Sequence, residues 1–274
     1  MSDFSIKVAS FNLKRDFGFY NKYSWINRRS IAADIIKQSG AGIIGVQELL
    51  PSMKNDVKQL LQNEFSIFGI GRFCGSKPKN DEHTDIIIKS DKYEVISTKT
   101  FWLSKNPEKE SSRALLAFFP RICTVAEVKI KGTDKAVRVF NTHFDHISYF
   151  ARVQGVKIIL KYMNEYNKQN PMPTILMGDF NCKSTSKPIK ILRENLHNYS
   201  NIRLTDVHYA CNKGSVSNTF HNFSGKIKAG TSPIDYIFAS EEFEIVDSQI
   251  ITDNKNGCYP SDHFPLISTL RLKS

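Results

Sequence analysis

The chain has 274 residues, 41% of them hydrophobic and 24% charged, ordinary proportions for a soluble globular protein and enough length for one large α/β core. Lys and Arg outnumber Asp and Glu by 38 to 27, a net charge of +11, which favours an anionic partner such as nucleic acid or anionic lipid without speaking to fold. Membrane spans and zinc-finger frameworks are excluded: no apolar stretch reaches spanning length, and no pair among Cys74, Cys123, Cys182, Cys211 and Cys258 has zinc-ligand spacing.

In chain order, Ile6–Phe11 reads as a first strand leading to Asn12. From Asn27 to Ser39 the apolar positions Ile31, Ala32, Ile35 and Ile36 recur at helical spacing, and Gly40-Ala41-Gly42 stops that helix. Ile43–Val46 is a short buried strand ending at Gln47-Glu48, followed by a helix from Met53 to Gln62. Strands are expected over 65–71, 85–89, 93–101, 121–130 and 136–141, the last delivering Thr142-His143. Arg152–Tyr166 is amphipathic, with Val156, Ile159, Leu160 and Met163 on one face. Thr174–Met177 runs as a strand into Gly178-Asp179-Phe180-Asn181; a short helix over 188–196 and strands over 234–238, 243–252 and 264–272 complete the chain. The pattern predicts one domain, residues 1–274, built either as two sheets packed face to face with helices outside or as a single mixed sheet. The N-terminal segment lacks the apolar core of a secretory signal, so a reduced, cytoplasmic monomer is the default expectation.

Polar groups gather just past the apolar runs: Asn12, Glu48, His143, Asp179 with Asn181, Asp235, and Asp262-His263. Singly, each has a structural reading: Asn12 as a turn former, Glu48 as an acid before the helix at Pro51, His143 as a core histidine, Gly178–Asn181 and Ser261-Asp262 as turns. Jointly, polar strand ends along one rim are where α/β proteins place reactive groups. Histidines, carboxylates and amides without a Ser or Cys nucleophile motif suit attack of water on a phosphoester. An extended segment points Asp179 and Asn181 the same way, toward a water and a phosphate. Glu48, alone or with Asp262 and Asn12, offers the oxygen ligands of Mg²⁺.

The set Ser10-Phe11-Asn12-Leu13, Gln47-Glu48, Asn141-Thr142-His143, Gly178-Asp179-Phe180-Asn181, Ile234–Phe238 and Ser261-Asp262-His263-Phe264-Pro265 resembles the endonuclease/exonuclease/phosphatase superfamily, the deoxyribonuclease-I-like fold. Phe101–Ser104 and Pro120–Thr124 are similar to its bacterial metal-dependent hydrolase branch. The resemblance spans residues 5–272 and implies a four-layer α/β sandwich of two packed mixed β-sheets flanked by helices. It implies a Mg²⁺-dependent (alternatively Mn²⁺-dependent) phosphoesterase. In it Glu48 is the principal metal ligand with Asn12 and Asp262 beside it, and Asp179 with Asn181 holds the water and phosphate. His263 is oriented by Asp235, as general base or electrostatic support, and His143 contacts the phosphate with Glu82 as its carboxylate partner. Lys14 stands where several relatives carry an acid. Arg72 and Arg121 are candidate phosphate contacts, a structural pairing being an equal reading for Arg121. His146 is expected behind the site, His221 in a loop, and Trp25 and Tyr20 either stacking on substrate or capping the core. Charge favours a nucleic acid substrate, DNA or RNA. A phosphatase or phospholipase acting on a sugar, inositol or lipid phosphate is the alternative, and a binding protein that has lost catalysis is a third.

Overall fold

Alternation along the first strand sets the architecture. In β1 (Ser5–Asn12) Ile6 and Val8 enter one apolar layer while Ala9 and Phe11 enter another, so the strand is buried on both faces. The computed structural model describes residues 4–19, 21–196 and 198–273; Tyr20, a sequence candidate for stacking, lies outside them.

The chain continues as α1 (Trp25–Gln38), β2 (Ile43–Gln47), α2 (Pro51–Leu61), β3 (Phe65–Phe68), β4 (Ile86–Lys89), β5 (Tyr93–Trp102), β6 (Ile122–Ile130) and β7 (Ala136–His143). Then follow α3 (Tyr149–Gln169), β8 (Thr174–Asp179), α4 (Lys187–Arg193), β9 (Leu204–Asp206), α5 (Val207–Cys211), β10 (Asp235–Ser240), β11 (Phe243–Ile250) and β12 (Leu266–Leu272). Two six-stranded sheets result, ordered β11-β12-β1-β2-β4-β3 and β5-β6-β7-β8-β10-β9. Each is antiparallel except for one central parallel pair, β1 with β2 and β7 with β8, whose crossovers carry α1 and α3.

Three apolar layers separate the four structural ones. Val8, Ile43, Val139, Ile175, Met177, Ile237 and Leu266 fill the space between the sheets. Phe11, Ile44 and Val46 pack against α1 and α2, and Phe140, Leu176 and Phe238 against α3 and α4. The packed pair of mixed sheets with outer helices is the four-layer sandwich the resemblance implies. No described helix is long and apolar enough to cross a membrane.

Local chemistry explains where element ends depart from the sequence expectation. Helix α3 begins at Tyr149 because the Ser148 hydroxyl accepts from the Ala151 N–H and the Asp145 carboxylate from the N–H groups of Ile147 and Ser148. Its first aromatics, Tyr149 and Phe150, are exposed and so break the apolar periodicity. Strand β9 and helix α5, with three and five residues, are too short to show a period; Asp206, whose carboxylate accepts from the Tyr209 N–H, turns one into the other.

Candidate active site

The parity that fills the inter-sheet layer also delivers the polar residues. Counting in steps of two from Ile6 and Val8 gives Ser10 and Asn12; from Val137 and Val139, Asn141 and His143; from Ile175 and Met177, Asp179; back from Ala239 and Ile237, Asp235. These side chains therefore share the inner faces with the apolar core and emerge at one edge of it. Strand register sets them side by side: His143 pairs with Asp179 across β7 and β8, and Asp179 with Asp235 across β8 and β10. Beneath them Gln47 donates to the Asn141 Oδ1 at 2.7 Å, joining the two sheets.

Asp179 is the hub. Its Oδ2 accepts from the Asn12 Nδ2 at 2.9 Å, a contact across the sheet interface, and lies 3.6 Å from the His143 Nε2 and 3.9 Å from the His263 Nε2. Its Oδ1 accepts from the Asn181 N–H at 2.8 Å. Here the structure corrects one expectation: β8 ends at Asp179, and Asn181 lies at φ 48°, in a left-handed turn that asparagine tolerates well. Asn181 comes beside Asp179 through that turn instead of through an extended strand, and its Nδ2 donates to the Phe144 carbonyl at 3.0 Å. Gly178 makes the approach possible. With φ 147° and a hypothetical Cβ 2.0 Å from the Thr142 carbonyl oxygen, the position excludes every side chain.

Glu48 follows β2 at φ 59°, a conformation costing a non-glycine residue about 1–2 kcal/mol. Its carboxylate holds it there, accepting from the Asn12 Nδ2 at 3.0 Å and the Arg15 N–H at 2.9 Å. Asn12 thus aims its nitrogen at two carboxylates, while its Oδ1 accepts from the Lys14 N–H. The Lys14 ammonium lies 2.9 Å from the Asp262 Oδ2. His263 sits between two acids: its Nδ1 is 2.9 Å from the Asp235 Oδ2, and its Nε2 is 3.9 Å from the Asp262 Oδ1.

The electrostatics separate the groups. Burial opposes the charge of His263, but Asp235, Asp179 and Asp262 push its pKa up to about 10, so it is an imidazolium at neutral pH. Burial, then the guanidinium groups of Arg121 and Arg72, hold His143 well below the usual imidazole range and keep it neutral. Burial, then Asp235, raise Asp179 to about 7. Burial would raise Glu48, yet Lys14, the Arg15 N–H and His263 hold it below the ordinary carboxylate value.

The remaining sequence candidates divide. Arg72 and Arg121 wall a small cavity together with His143 and Pro120. Arg72 grips Glu82 through both terminal nitrogens, at 3.0 and 3.1 Å. Glu82 also accepts from Arg15 at 2.6 Å, so arginines occupy it, and the carboxylate that reaches His143 is Asp179. Arg121 Nη2 is 2.9 Å from the His146 Nδ1, and its Nε 3.7 Å from Asp145. His221 stacks on Phe264 at 3.8 Å and its N–H donates to the Asp262 carbonyl, which fixes the loop bearing that acid. Trp25 caps the core, donating its indole N–H to Asp56.

Sequence reasoning missed Arg28 and Thr219. Buried Arg28 donates to the carbonyls of Tyr23, Leu13, Lys14 and Pro260, tying the segment after β1 to the turn before Asp262. Thr219 Oγ1 accepts from the N–H groups of Ile234 and Asp235. For Arg28 a signal existed: three residues past Trp25, it shares that residue's helix face and points inward.

Two triplets offer donor atoms mutually within 4.8 Å: Glu48, His143 and Asp179, and Asp179, Asp235 and His263. Carboxylate oxygens dominate, and a cation, the Lys14 ammonium, already lodges against Asp262. The oxygen donors of these triplets fit a hard divalent metal, whereas Asp262, which belongs to neither, is neutralised by Lys14.

Comparison with known proteins places the fold in a family. The Endonuclease/Exonuclease/phosphatase family model matches residues 9–263. A solved member of that family from Bacteroides thetaiotaomicron is 28% identical, with a TM-score of 0.89 and all of both chains covered. The mannosyl-6-phosphatase of Bacteroides thetaiotaomicron VPI-5482 is 28% identical with a TM-score of 0.84, over 97% of this chain and 99% of its own. An uncharacterised protein of Acanthamoeba polyphaga mimivirus is 25% identical over 96% of this chain and 98% of its own length. The chain belongs to the endonuclease/exonuclease/phosphatase family and is a phosphate-ester hydrolase.

Proposed function

We propose that this protein is a magnesium-dependent phosphodiesterase that cleaves with an activated water, nucleic acid being the favoured substrate. One observation carries the reading: a single carboxylate, Asp179, is reached by Asn12 and His263 from or beside the opposite sheet and by His143 from the neighbouring strand of its own. Such convergence has no use in an inert scaffold, which argues against a binding protein without catalysis.

Each residue's role follows from its charge and reach. Asp179, with Asn181 beside it, orients the attacking water and takes its proton. Neutral His143 donates a hydrogen bond to a phosphoryl oxygen, with Arg72 and Arg121 lining the same recess. His263, held by Asp235, acts through its positive charge on the phosphorane more readily than as a base. Glu48 would hold the metal, joined by Asp262 once the Lys14 ammonium gives way, and Asn12 beside them holds the Glu48 carboxylate in place. When bound there, the metal neutralises charge on the phosphoryl and leaving oxygens.

Net charge of +11 supports a polyanionic substrate. A second reading, a sugar-phosphate monoesterase, is favoured by the likeness to the mannosyl-6-phosphatase. The test is a panel of single- and double-stranded DNA, RNA, a hexose 6-phosphate, inositol phosphates and sphingomyelin, each with magnesium, manganese or EDTA. Hydrolysis of oligonucleotides that vanishes in EDTA is expected. Turnover confined to the hexose phosphate would replace the first reading by the second.

A further inference from the structure

Two cavities adjoin the ends of the catalytic line. Along it run His143, Asp179, His263 and Asp262, with successive contacts of 3.6, 3.9 and 3.9 Å. At the Asp262 end, a cavity of about 380 Å³ opens among Lys14, Arg15, Phe17, Phe19 and Phe223, with Asp262 in its wall. At the His143 end, Pro120 is shared between the small recess holding His143 and a cavity of about 400 Å³ among Phe73, Lys77, Arg113, Phe118 and Phe119. The Phe119 ring lies 4.5 Å from the Arg72 guanidinium, which joins the same two spaces. Both volumes fall within the range of about 300–1,000 Å³ usual for ligand pockets.

The two linings are chemically alike. Each sets an exposed phenylalanine, Phe19 at 72% and Phe118 at 68%, beside a pair of cations, Lys14 with Arg15 and Lys77 with Arg113. Water-facing phenylalanines cost free energy that an occupant would recover. Aromatic rings beside cations are how proteins hold single-stranded nucleic acid, bases on rings and phosphates on cations. The two-sided arrangement matters most. A monoester carries one organic group and would leave one cavity unused, whereas a phosphodiester within a chain carries one on each side.

Resting on the phosphodiesterase reading, we infer that these cavities are paired nucleotide subsites flanking the scissile phosphate of a single-stranded nucleic acid. One base stacks at Phe19 and the next at Phe118, with a neighbouring phosphate on Lys77 and Arg113, while Lys14 and Arg15 stay engaged with Asp262 and Glu82. Unpaired bases are required, because a base inside a duplex has no free face to offer.

The experiment compares hydrolysis of a thymidine octamer with that of an octamer of abasic tetrahydrofuran units, alongside methyl p-nitrophenyl phosphate, in the wild type, Phe19→Ala, Phe118→Ala and the double variant. The wild type is expected to prefer the base-bearing strand. Each single variant should lower that preference about 5- to 100-fold, mainly through KM, and the double variant should lower it further than either. Phe118→Tyr, which keeps the ring, should retain the preference, a result that general loosening of the loop would not give. Equal rates on the two strands, or a preference that survives either single variant, would overturn the paired subsites. Failure of the phosphodiesterase reading registers separately, as no hydrolysis of methyl p-nitrophenyl phosphate or of either strand by the wild type.

Discussion

Arg28 carries a charge into the fold and spends it on backbone. Burial lowers its pKa to about 10, still protonated at neutral pH, and four carbonyls from the segments after β1 and before Asp262 accept from it. Removing it leaves those acceptors without a donor, at about 1–3 kcal/mol for each that water does not reach. Arg28→Ala is therefore expected to lose about 3–5 kcal/mol in urea unfolding and to lose phosphoesterase activity with it, since Lys14 and Asp262 both depend on these segments. Arg28→Lys, with no planar fork, should recover only part. His263 supports a second residue-level test. Its folded pKa lies above the ordinary value of 6.5, so its charge stabilises the fold fully below that value and the stabilisation is lost as pH rises through about 10. In EDTA, the His263 ring resonances should report imidazolium at pH 8. Asp235→Asn removes the nearest acid, so the titration should then fall toward the ordinary range. An unshifted titration in that variant would contradict the pairing. The pairing of His263 with Asp235 was legible by likeness to a family, whereas the helix spacing shows only that Arg28 faces inward and not that it binds carbonyls, and Thr219 lies in a loop without period.

At the level of elements, alternation was the readable signal. Runs such as Ile6–Phe11 and Thr174–Met177 showed strands, and strand ends showed where polar groups leave the core. Turn geometry was not readable in the same way: Asn181 itself takes a left-handed conformation, and Glu48 holds another that its own hydrogen bonds explain. The pairing of β7 with β8 supplies the test here. A side chain at 178 would meet the Thr142 carbonyl at 2.0 Å in a rigid parallel ladder, so the strands must part. Gly178→Ala is expected to lower stability by about 3 kcal/mol or more, read as a shifted urea midpoint. It should also separate His143 from Asp179. An unshifted midpoint would mean that the two strands can spread without penalty.

For the molecule as a whole, the site exists only where the two sheets meet. Asn12 and Asp179 touch across 167 residues of sequence, and Gln47 meets Asn141 across 94. No periodicity predicts such contacts; likeness to a family named Asn12 and Asp179 as site residues, but not their contact with each other. The same closure explains why Asp179 has an environment no isolated turn provides, buried and surrounded by an amide and two imidazoles. That carboxylate is therefore the group to test. The decisive measurement is the initial rate of magnesium-supported hydrolysis of methyl p-nitrophenyl phosphate by the wild type and by Asp179→Asn, with circular dichroism to verify the fold. Loss of the oriented base predicts a fall of about 10²- to 10⁴-fold with the spectrum unchanged. A folded Asp179→Asn protein that retains full magnesium-dependent activity would contradict the account.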